Sequence, residues 1–411
     1  MAKILSLYFV LIASIIYNVA IAQTSTINKL NSEQQNIQAQ EASEWVVVLN
    51  DPRPARLQGW LRNQYHKSSG EYRGSLELER YGRSIATKYK MELRDQWLIP
   101  SLGVYCLVVR FNDDKSETIA NLKKNKAVQW VQPSNDFELL SAKTQSQLID
   151  KTKLTTPVDD TINSAADGGG VVIAIIDSAV DDSHQDLAGQ IAQSGDFVIT
   201  RESSDTKEQL GEMHGTAIAG VLIADRNTKL GVAGVAPGAT LKAYRGCWEA
   251  SETNKTNCNT LSLARALDAV SSSNTDILNL SLSGPKDLLL DRLIQRIIDQ
   301  GTIVVTAFDP TRPAINRFPS QRDGVLIVRA QDLDNQHTEF FTAPGARVVL
   351  SPGNKYDFMH GHSVASAYTS GLLALRKQVF ETAIGGKKQA DWRMVSNDQA
   401  AQDLLSDILM R

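Results

Sequence analysis

The chain has 411 residues, and its 43 lysines and arginines against 46 aspartates and glutamates give a formal net charge of −3. Hydrophobic residues make up 42% of the sequence and charged residues 22%, which is typical of a folded protein. A length of 411 residues suggests two or three domains. Because no basic stripe accompanies this slightly acidic balance, we do not expect a nucleic acid partner.

Residues 1–22 have the pattern of a signal peptide. Lys3 precedes an apolar run from Ile4 to Ile16, and Ala20-Ile21-Ala22 stands directly before Gln23. A positive start, a short apolar run and small residues at the end are typical of a cleaved export signal, whereas a resident membrane helix needs about 20 apolar residues. We therefore expect an exported protein, periplasmic or extracellular, with no stable membrane span; an uncleaved anchor is the alternative.

A small folded domain is predicted over residues 44–140. Residues 23–43, rich in Gln, Asn and Ser, predict a polar linker before it, and the polar composition from residue 134 onward predicts a processing linker over 141–165. Within the domain, the apolar pattern predicts strands and a helix in the order strand Trp45–Leu49, strand Gly103–Phe111, helix Ser116–Asn125 and strand Ala127–Pro133. This order indicates an α+β domain.

Residues 166–385 alternate between strands and helices. An apolar run from Val171 to Ile176 follows three glycines and predicts a buried strand. The later predicted elements are helix Thr260–Ser272, strand Asp276–Ser281, helix Asp287–Gln300 closed by Gly301, and strand Thr302–Ala307. The predicted fold class is therefore α/β, a parallel sheet with helices on both faces, followed by a C-terminal tail over 386–411.

Three residues in this region have the chemistry of a nucleophilic site. Asp177 ends the first buried strand, His214 begins the small and apolar run HGTAIAG, and Ser363 precedes a second such run, VASAYTSG. A serine hydroxyl is a weak nucleophile until an imidazole can take its proton, and a carboxylate orients that imidazole. A helix N-terminus disfavours the imidazolium form of His214, and the N–H groups of the helix beginning near Ser363 are suited to binding an oxyanion. Each residue taken singly also fits a structural role, as a turn aspartate, a structural histidine or a helix N-cap.

The order Asp177, His214, Ser363 and the segments around these residues resemble the subtilase family of serine peptidases over about residues 165–385. The segments that carry the resemblance are AIIDSAVDDSHQDL, HGTAIAG, GVAGVAPGATLKAYR, DILNLSLSGP, GTIVVTAFDP and TAPGARVVLSPGNKYDFMHGHSVASAYTSG. The resemblance implies a subtilisin-like fold and a secreted serine endopeptidase that acts on polypeptide substrates. Ser363 would attack the peptide carbonyl, His214 would transfer the proton, and Asp177 would orient His214.

The small domain over 44–140, which closes with the segment AVQWVQP, resembles the α+β propeptide of subtilases. This resemblance implies a self-inhibited precursor in which the chain's own propeptide is an intramolecular inhibitor. An unrelated accessory domain is the alternative.

The resemblance also implies roles for residues around these three. Ser281, Leu282, Ser283 and Gly284 match the segment that pairs with the substrate as an added strand. Asp309 matches the asparagine of the oxyanion hole, where an ionised carboxylate would oppose the charge that the site stabilises. If Asp309 faces the oxyanion, we expect its pKa to be raised and the activity gained by Asp309→Asn to grow with pH. The alternative function is a catalytically weak or inactive relative that binds peptides or proteins.

Export also bears on the cysteines. Cys247 and Cys258 lie in one polar segment, where we expect a disulfide rather than two free thiols, and Cys106 lies in a predicted strand as a small buried residue. His360 and His362 flank the serine without a third ligand at recognisable spacing, so we identify no metal site and no cofactor. Subtilases often bind calcium, but no acidic loop of this sequence matches a calcium site.

Overall fold

The computed structural model describes residues 44–52, 76–112, 114–140, 166–198, 212–225, 232–250, 255–311, 317–320, 322–331, 333 and 340–383. The predicted signal peptide, the linker over 23–43, the processing linker over 141–165 and the tail over 386–411 lie outside these ranges. None of the helices inside them combines the length and the apolar character that crossing a membrane requires.

The small domain is a four-stranded antiparallel sheet with helices. Its elements are β1 (Trp45–Asn50), α1 (Leu76–Lys88), β2 (Met91–Ile99), β3 (Val104–Phe111), α2 (Lys115–Lys123) and β4 (Val128–Pro133). The strands lie in the order β2-β3-β1-β4. The predicted strands and helix correspond to β1, β3, α2 and β4, whereas α1 and β2 were not predicted.

The sequence does not predict helix α1, because a glycine interrupts the charged residues of this segment. Gly82 is buried, and a Cβ atom at this position would lie 2.0 Å from Gln96 Oε1 and 2.8 Å from Leu107 Cδ2. The glycine therefore lets the helix approach the sheet closely. That reason is visible only once the sheet is formed.

The larger domain is built on a seven-stranded parallel sheet, which confirms the α/β prediction. The elements after β4 are β5 (Asp136–Leu139), β6 (Val172–Asp177), β7 (Ile191–Asp196), α3 (His214–Ile223), β8 (Thr240–Arg245), β9 (Cys247–Ala250), β10 (Lys255–Asn259), α4 (Thr260–Ser271), β11 (Ile277–Leu280), β12 (Leu282–Pro285), α5 (Leu288–Asp299), β13 (Ile303–Ala307), β14 (Arg317–Phe318), β15 (Val325–Ala330), β16 (Phe341–Ala343), β17 (Ala346–Ser351), β18 (Lys355–His360) and α6 (His362–Ala383). The parallel strands lie in the order β16-β15-β13-β11-β6-β8-β7.

Both faces of this sheet are covered by helices. Ile173 and Ile175 of β6 belong to a core with α3 and α6, and Ala174 and Ile176 belong to a core with α4 and α5. Successive side chains of a strand point to opposite faces, so an unbroken apolar run is what a two-sided sheet requires. The parallel arrangement places Asp177, the last residue of β6, at the carboxyl edge of the sheet.

The segment between β8 and α4 is a β-hairpin and not the polar loop that its composition suggests. β9 and β10 pair antiparallel, with Cys247 directly opposite Cys258. The two cysteines are buried and form a disulfide, so the predicted bridge is confirmed. The cross-link and the backbone ladder hold polar residues in a strand that intrinsic propensity does not favour. Cys106 is a buried free thiol, as predicted, and burial raises its pKa.

A second correction concerns the polar residues that follow β4. Instead of starting a linker, residues 136–139 form β5. This strand is the central one of a five-stranded sheet in the order β14-β12-β5-β10-β9. Phe137 and Leu139 are buried while Asp136 and Glu138 are exposed. This alternation is a strand signal, but four residues are too few to carry it without knowledge of the partners.

The small domain packs on α4 and α5 through one continuous apolar core. Its contributing residues are Val46, Val48, Trp97, Ile99, Val104, Cys106 and Val108. Asp287, the N-cap of α5, also accepts hydrogen bonds from Gln132 Nε2 at 2.7 Å and Asn135 Nδ2 at 2.9 Å. Asp95 pairs with Arg265 of α4 at 2.9 Å. The two domains therefore share both apolar and polar contacts.

The disulfide gives a prediction for stability. We expect the double variant Cys247→Ala, Cys258→Ala to lower the free energy of unfolding by about 2–3 kcal/mol, because the bridge restricts the unfolded chain. Denaturant unfolding of the variant and the wild type measures the difference, and peptide mapping of unreduced wild type is the control. Recovery of both residues as free thiols from protein purified without reductant would contradict the expectation.

Candidate active site

Asp177 and His214 form the centre of the site. Asp177 Oδ1 and His214 Nδ1 are 2.7 Å apart, and both side chains are almost completely buried. Ser178 N also donates to Asp177 Oδ1 at 2.8 Å, which fixes the carboxylate. The end of β6 and the first residue of α3 thus supply a coupled carboxylate and imidazole.

Gly215 explains why the strand and the helix can meet so closely. A Cβ atom at this position would lie 2.4 Å from the carbonyl oxygen of Ser178 and 2.7 Å from that of Ala179. The backbone N–H of Gly215 donates instead to Ser178 Oγ at 3.0 Å. A side chain here would push α3 away from β6 and lengthen the contact between Asp177 and His214.

Ser363 is the second residue of α6, and it is buried. Helix α6 packs against α3, which carries the histidine. Ser363 Oγ and His214 Nε2 are both buried, and neither has a hydrogen-bond partner among the residues that the structure describes. The structure therefore joins Asp177 to His214, but it places no hydrogen bond between His214 and Ser363. The N–H of Ser363 is in the first turn of α6, where helical N–H groups lack intrahelical acceptors.

The pKa of His214 is raised above its ordinary value. Burial alone lowers it, but the negative charge of Asp177, the hydrogen bond to Asp177 and the charge of Glu249 together outweigh burial. The two carboxylates therefore act on this pKa in the direction opposite to that expected of a helix N-terminus. A neutral base is obtained only at a pH above this raised pKa.

Glu249 and Glu212 are parts of the site that the sequence does not reveal. Glu249 Oε1 accepts hydrogen bonds from the backbone N–H groups of Met213 at 2.9 Å and His214 at 3.0 Å. Glu212 Oε2 accepts from Ala179 N at 2.6 Å, and Glu212 also pairs with Arg245. No local motif marks either glutamate, although Glu249 follows Cys247 by two positions.

The predicted substrate-pairing segment Ser281–Gly284 is covered by β5. Ser283 lies opposite Glu138 in an antiparallel pairing, and Leu140 N donates to the carbonyl oxygen of Ser281 at 2.9 Å. Phe137 packs on Gly284, where a Cβ atom would lie 2.1 Å from its ring. This segment therefore binds an extended piece of chain through its backbone.

The segment also lies beside the helix that carries Ser363. Ser281 Oγ is 3.3 Å from Ser366 Oγ, and Ser366 Oγ donates to the carbonyl oxygen of Ser363 at 2.9 Å. Leu140, which is bonded to Ser281, therefore lies close to the first turn of α6.

Asp309 is a hydrogen-bond acceptor and not a donor. Its carboxylate accepts from Ser283 Oγ at 2.7 Å, Thr311 N at 2.8 Å and Thr311 Oγ1 at 2.6 Å. Burial raises the pKa of Asp309, but these hydrogen bonds and the charge of Arg317 outweigh burial and lower it. The expected raised pKa is therefore wrong, because the sequence does not show which donors the carboxylate meets.

His362, directly before Ser363, has structural surroundings. His362 Nδ1 accepts a hydrogen bond from Ala330 N at 2.9 Å, and its ring packs edge-on against Phe308 at 5.4 Å. Within the described ranges, no group of three or more His, Cys, Asp or Glu side chains is arranged to hold a metal ion.

Comparison with known proteins places this site in a family. The model of the subtilase family, peptidase family S8, matches residues 168–407. The thermophilic serine proteinase of Bacillus sp. (strain AK1) is 30% identical over 217 residues, which cover 50% of this chain and 52% of that protein. Subtilisin Savinase of Lederbergia lenta is 30% identical over 226 residues, which cover 53% of this chain and 79% of that protein.

The fold is similar to a solved structure as well. Fervidolysin from Fervidobacterium pennivorans, a keratinolytic enzyme related to subtilisin, has a TM-score of 0.60 and 17% identity, covering 82% of this chain and 55% of that chain. The chain spans about half the length of fervidolysin and of the Bacillus proteinase. Because the family model matches more than half of its residues, the chain belongs to the subtilase family.

Proposed function

We propose that this chain is a serine-type endopeptidase that is exported and made as a self-inhibited precursor. The observation that carries the proposal is the buried contact between Asp177 and His214, beside a helix whose first turn holds Ser363. Family membership supports the activity, and the signal-like residues 1–22 support export.

The mechanism follows from the chemistry of these three residues. Ser363 Oγ attacks the carbonyl carbon of the scissile peptide bond, and His214 Nε2 takes the hydroxyl proton. The resulting oxyanion is stabilised by the backbone N–H of Ser363. The C–N bond then breaks as His214 returns the proton to the leaving amine. Water, activated by the same imidazole, hydrolyses the acyl-enzyme and regenerates Ser363.

Polypeptide substrates would bind as an added strand along Ser281–Gly284. The antiparallel pairing of β5 with β12 supports this mode, because it uses backbone groups that every peptide has. Phe137 on Gly284 supports a preference for an apolar residue at that position of the substrate.

The same pairing supports self-inhibition. A chain bound along β12, with Leu140 beside Ser281, excludes a second peptide from that strand. The shared core and the bonds to Asp287 add affinity between the small domain and the larger one. We therefore propose residues 44–140 as the propeptide, rather than an unrelated accessory domain.

The ionised carboxylate of Asp309 is the observation that favours the alternative function, a slow or inactive relative that binds peptides. A negative charge at the position of the oxyanion-hole asparagine would oppose the developing oxyanion. The role of Asp309 in the oxyanion hole stays a prediction, because it follows from sequence matching alone. The variant Asp309→Asn measures how far the carboxylate lowers kcat.

The pH dependence of hydrolysis tests the proposed mechanism. We expect kcat/KM on a fluorogenic peptide to rise with pH through a pKa above the ordinary histidine value of about 6.5, because His214 acts only when neutral. Asp177→Asn removes a charge that raises this pKa, so the rise should move to lower pH while kcat falls by about 10⁴-fold, as in other serine peptidases. Ser363→Ala is the inactive control. Turnover by this variant at the wild-type rate would contradict the proposed mechanism.

Self-processing provides a separate test of the precursor. Purified wild-type protein should convert to a form whose first residue lies between Leu139 and Ala165, because Leu140 is bonded to Ser281 beside the helix that carries Ser363. Ser363→Ala should stay at full length, as N-terminal sequencing and intact mass will report. Equal conversion of both proteins would show that another peptidase makes the cut.

Asp309→Asn should raise kcat by the same factor at every pH above about 6. The lowered pKa keeps the wild-type carboxylate ionised throughout that range, so a pH-dependent gain is no longer expected. The ceiling is about 10²–10³-fold, the cost of removing the matching donor from subtilisin itself. Asp309→Ala is the control that removes the charge without adding a donor. An unchanged kcat in both variants would mean that Asp309 does not act on the oxyanion.

A further inference from the structure

We propose that Glu249, carried by the disulfide-linked hairpin β9–β10, is a positioning residue that holds His214 in place through its backbone. This inference rests on the proposed function, in which His214 is the general base. It assigns a purpose to the hairpin, which the mechanism above does not use.

The geometry shows how one carboxylate can hold the start of a helix. Glu249 Oε1 accepts from two consecutive N–H groups, those of Met213 and His214, at 2.9 and 3.0 Å. Met213 occupies the N-cap of α3, and its side chain makes no capping hydrogen bond. Glu249 therefore supplies from another strand the acceptor that a serine or aspartate N-cap would supply locally. The bond to His214 N fixes the backbone from which the imidazole projects.

A disulfide and a backbone ladder fix the position of Glu249 in the hairpin. Cys247, two residues before Glu249, forms a disulfide with Cys258 of the neighbouring strand, and Thr256 lies opposite Glu249 in the ladder. The backbone N–H of Glu249 also donates to Glu212 Oε1 at 3.4 Å. Before processing, β10 has β5 as its second neighbour. Once β5 has left, the disulfide and the β9–β10 ladder still hold the carboxylate in position.

The charge of Glu249 acts on the imidazole as well. The ionisable groups around His214 are Asp177 of β6, Glu249 of β9, Glu212 just before α3, and Arg245 of β8. Arg245 is paired with Glu212 and with Asp196, so its positive charge is locally balanced. Glu249 adds to the effect of Asp177 in raising the pKa of His214. Burial raises the pKa of Glu249 itself, although the hydrogen bonds from the N–H groups of His214 and Met213 work against burial, so Glu249 adds its negative charge only above that raised pKa.

Two substitutions distinguish the effect of the hydrogen bonds that Glu249 accepts from the effect of its charge. Glu249→Gln keeps an oxygen that can accept from Met213 N and His214 N, but it removes the charge. We expect the pKa seen in kcat/KM to fall by about half a unit and the plateau kcat to stay within about twofold. Glu249→Ala removes both, so the same fall in pKa should come with a kcat lowered about 10-fold or more. Glu381→Gln, on a half-exposed carboxylate that pairs with Lys377 in the last turns of α6, should change neither.

Each kcat is taken per active site, counted by a covalent serine label, so that a partly unfolded Glu249→Ala cannot imitate the expected loss. NMR titration of the His214 imidazole in the full-length Ser363→Ala protein, with and without Glu249→Gln, measures the pKa shift without turnover. An inactive wild type with the NMR shift present would remove the proposed function but keep the effect of Glu249 on His214. An unchanged imidazole pKa in Glu249→Gln, or a wild-type kcat per active site in Glu249→Ala, would overturn the positioning role.

Discussion

The buried hydrogen bond between Asp177 and His214 is the contact on which the rest of the site depends. A carboxylate and an imidazole are each costly to bury, and their direct contact offsets part of that cost. The parallel sheet delivers the carboxylate at the end of β6, and α3 delivers the imidazole at its first residue. Gly215 lets the two elements approach, so the pair follows from packing as much as from charge. Helix α6 packs against α3 and carries Ser363 as its second residue.

In the proposed function, substrate binding and self-inhibition would use the same backbone hydrogen bonds. A strand with a free edge binds extended peptides without regard to most of their side chains, and β12 is such a strand once β5 leaves it. In the structure, β5 covers that edge and also lies against β10 of the disulfide hairpin. The chain's own segment would therefore protect the site until it is cut. A cut there would leave the disulfide of the hairpin intact, and Glu249 of this hairpin accepts a hydrogen bond from the N–H of His214 at the start of α3.

Much of the fold could be predicted because its central strands are unbroken apolar runs and its helices have clear ends. The run that ends at Ile176 is β6, α3 begins at His214, and Gly301 follows the end of α5 with a φ of 92°. β5 and the β9–β10 hairpin could not be predicted, since their polar residues become strands only beside distant partners. The same limit applies to the site. The local segments and their order predict Asp177 and His214 as site residues, but no local pattern marks Glu249, which binds N–H groups 35 and 36 residues away.

The central claim is that Asp177, His214 and Ser363 act together, with Ser363 as the nucleophile. Labelling the processed protein with a fluorophosphonate and mapping the modified peptide tests it most directly, because the reagent reacts with a serine only when a neighbouring base activates it. We expect a single label on Ser363, formed faster as pH rises through the pKa of His214 and slowed by several orders of magnitude in His214→Ala. A label on a different residue, or labelling of Ser363 at the wild-type rate in His214→Ala, would contradict it.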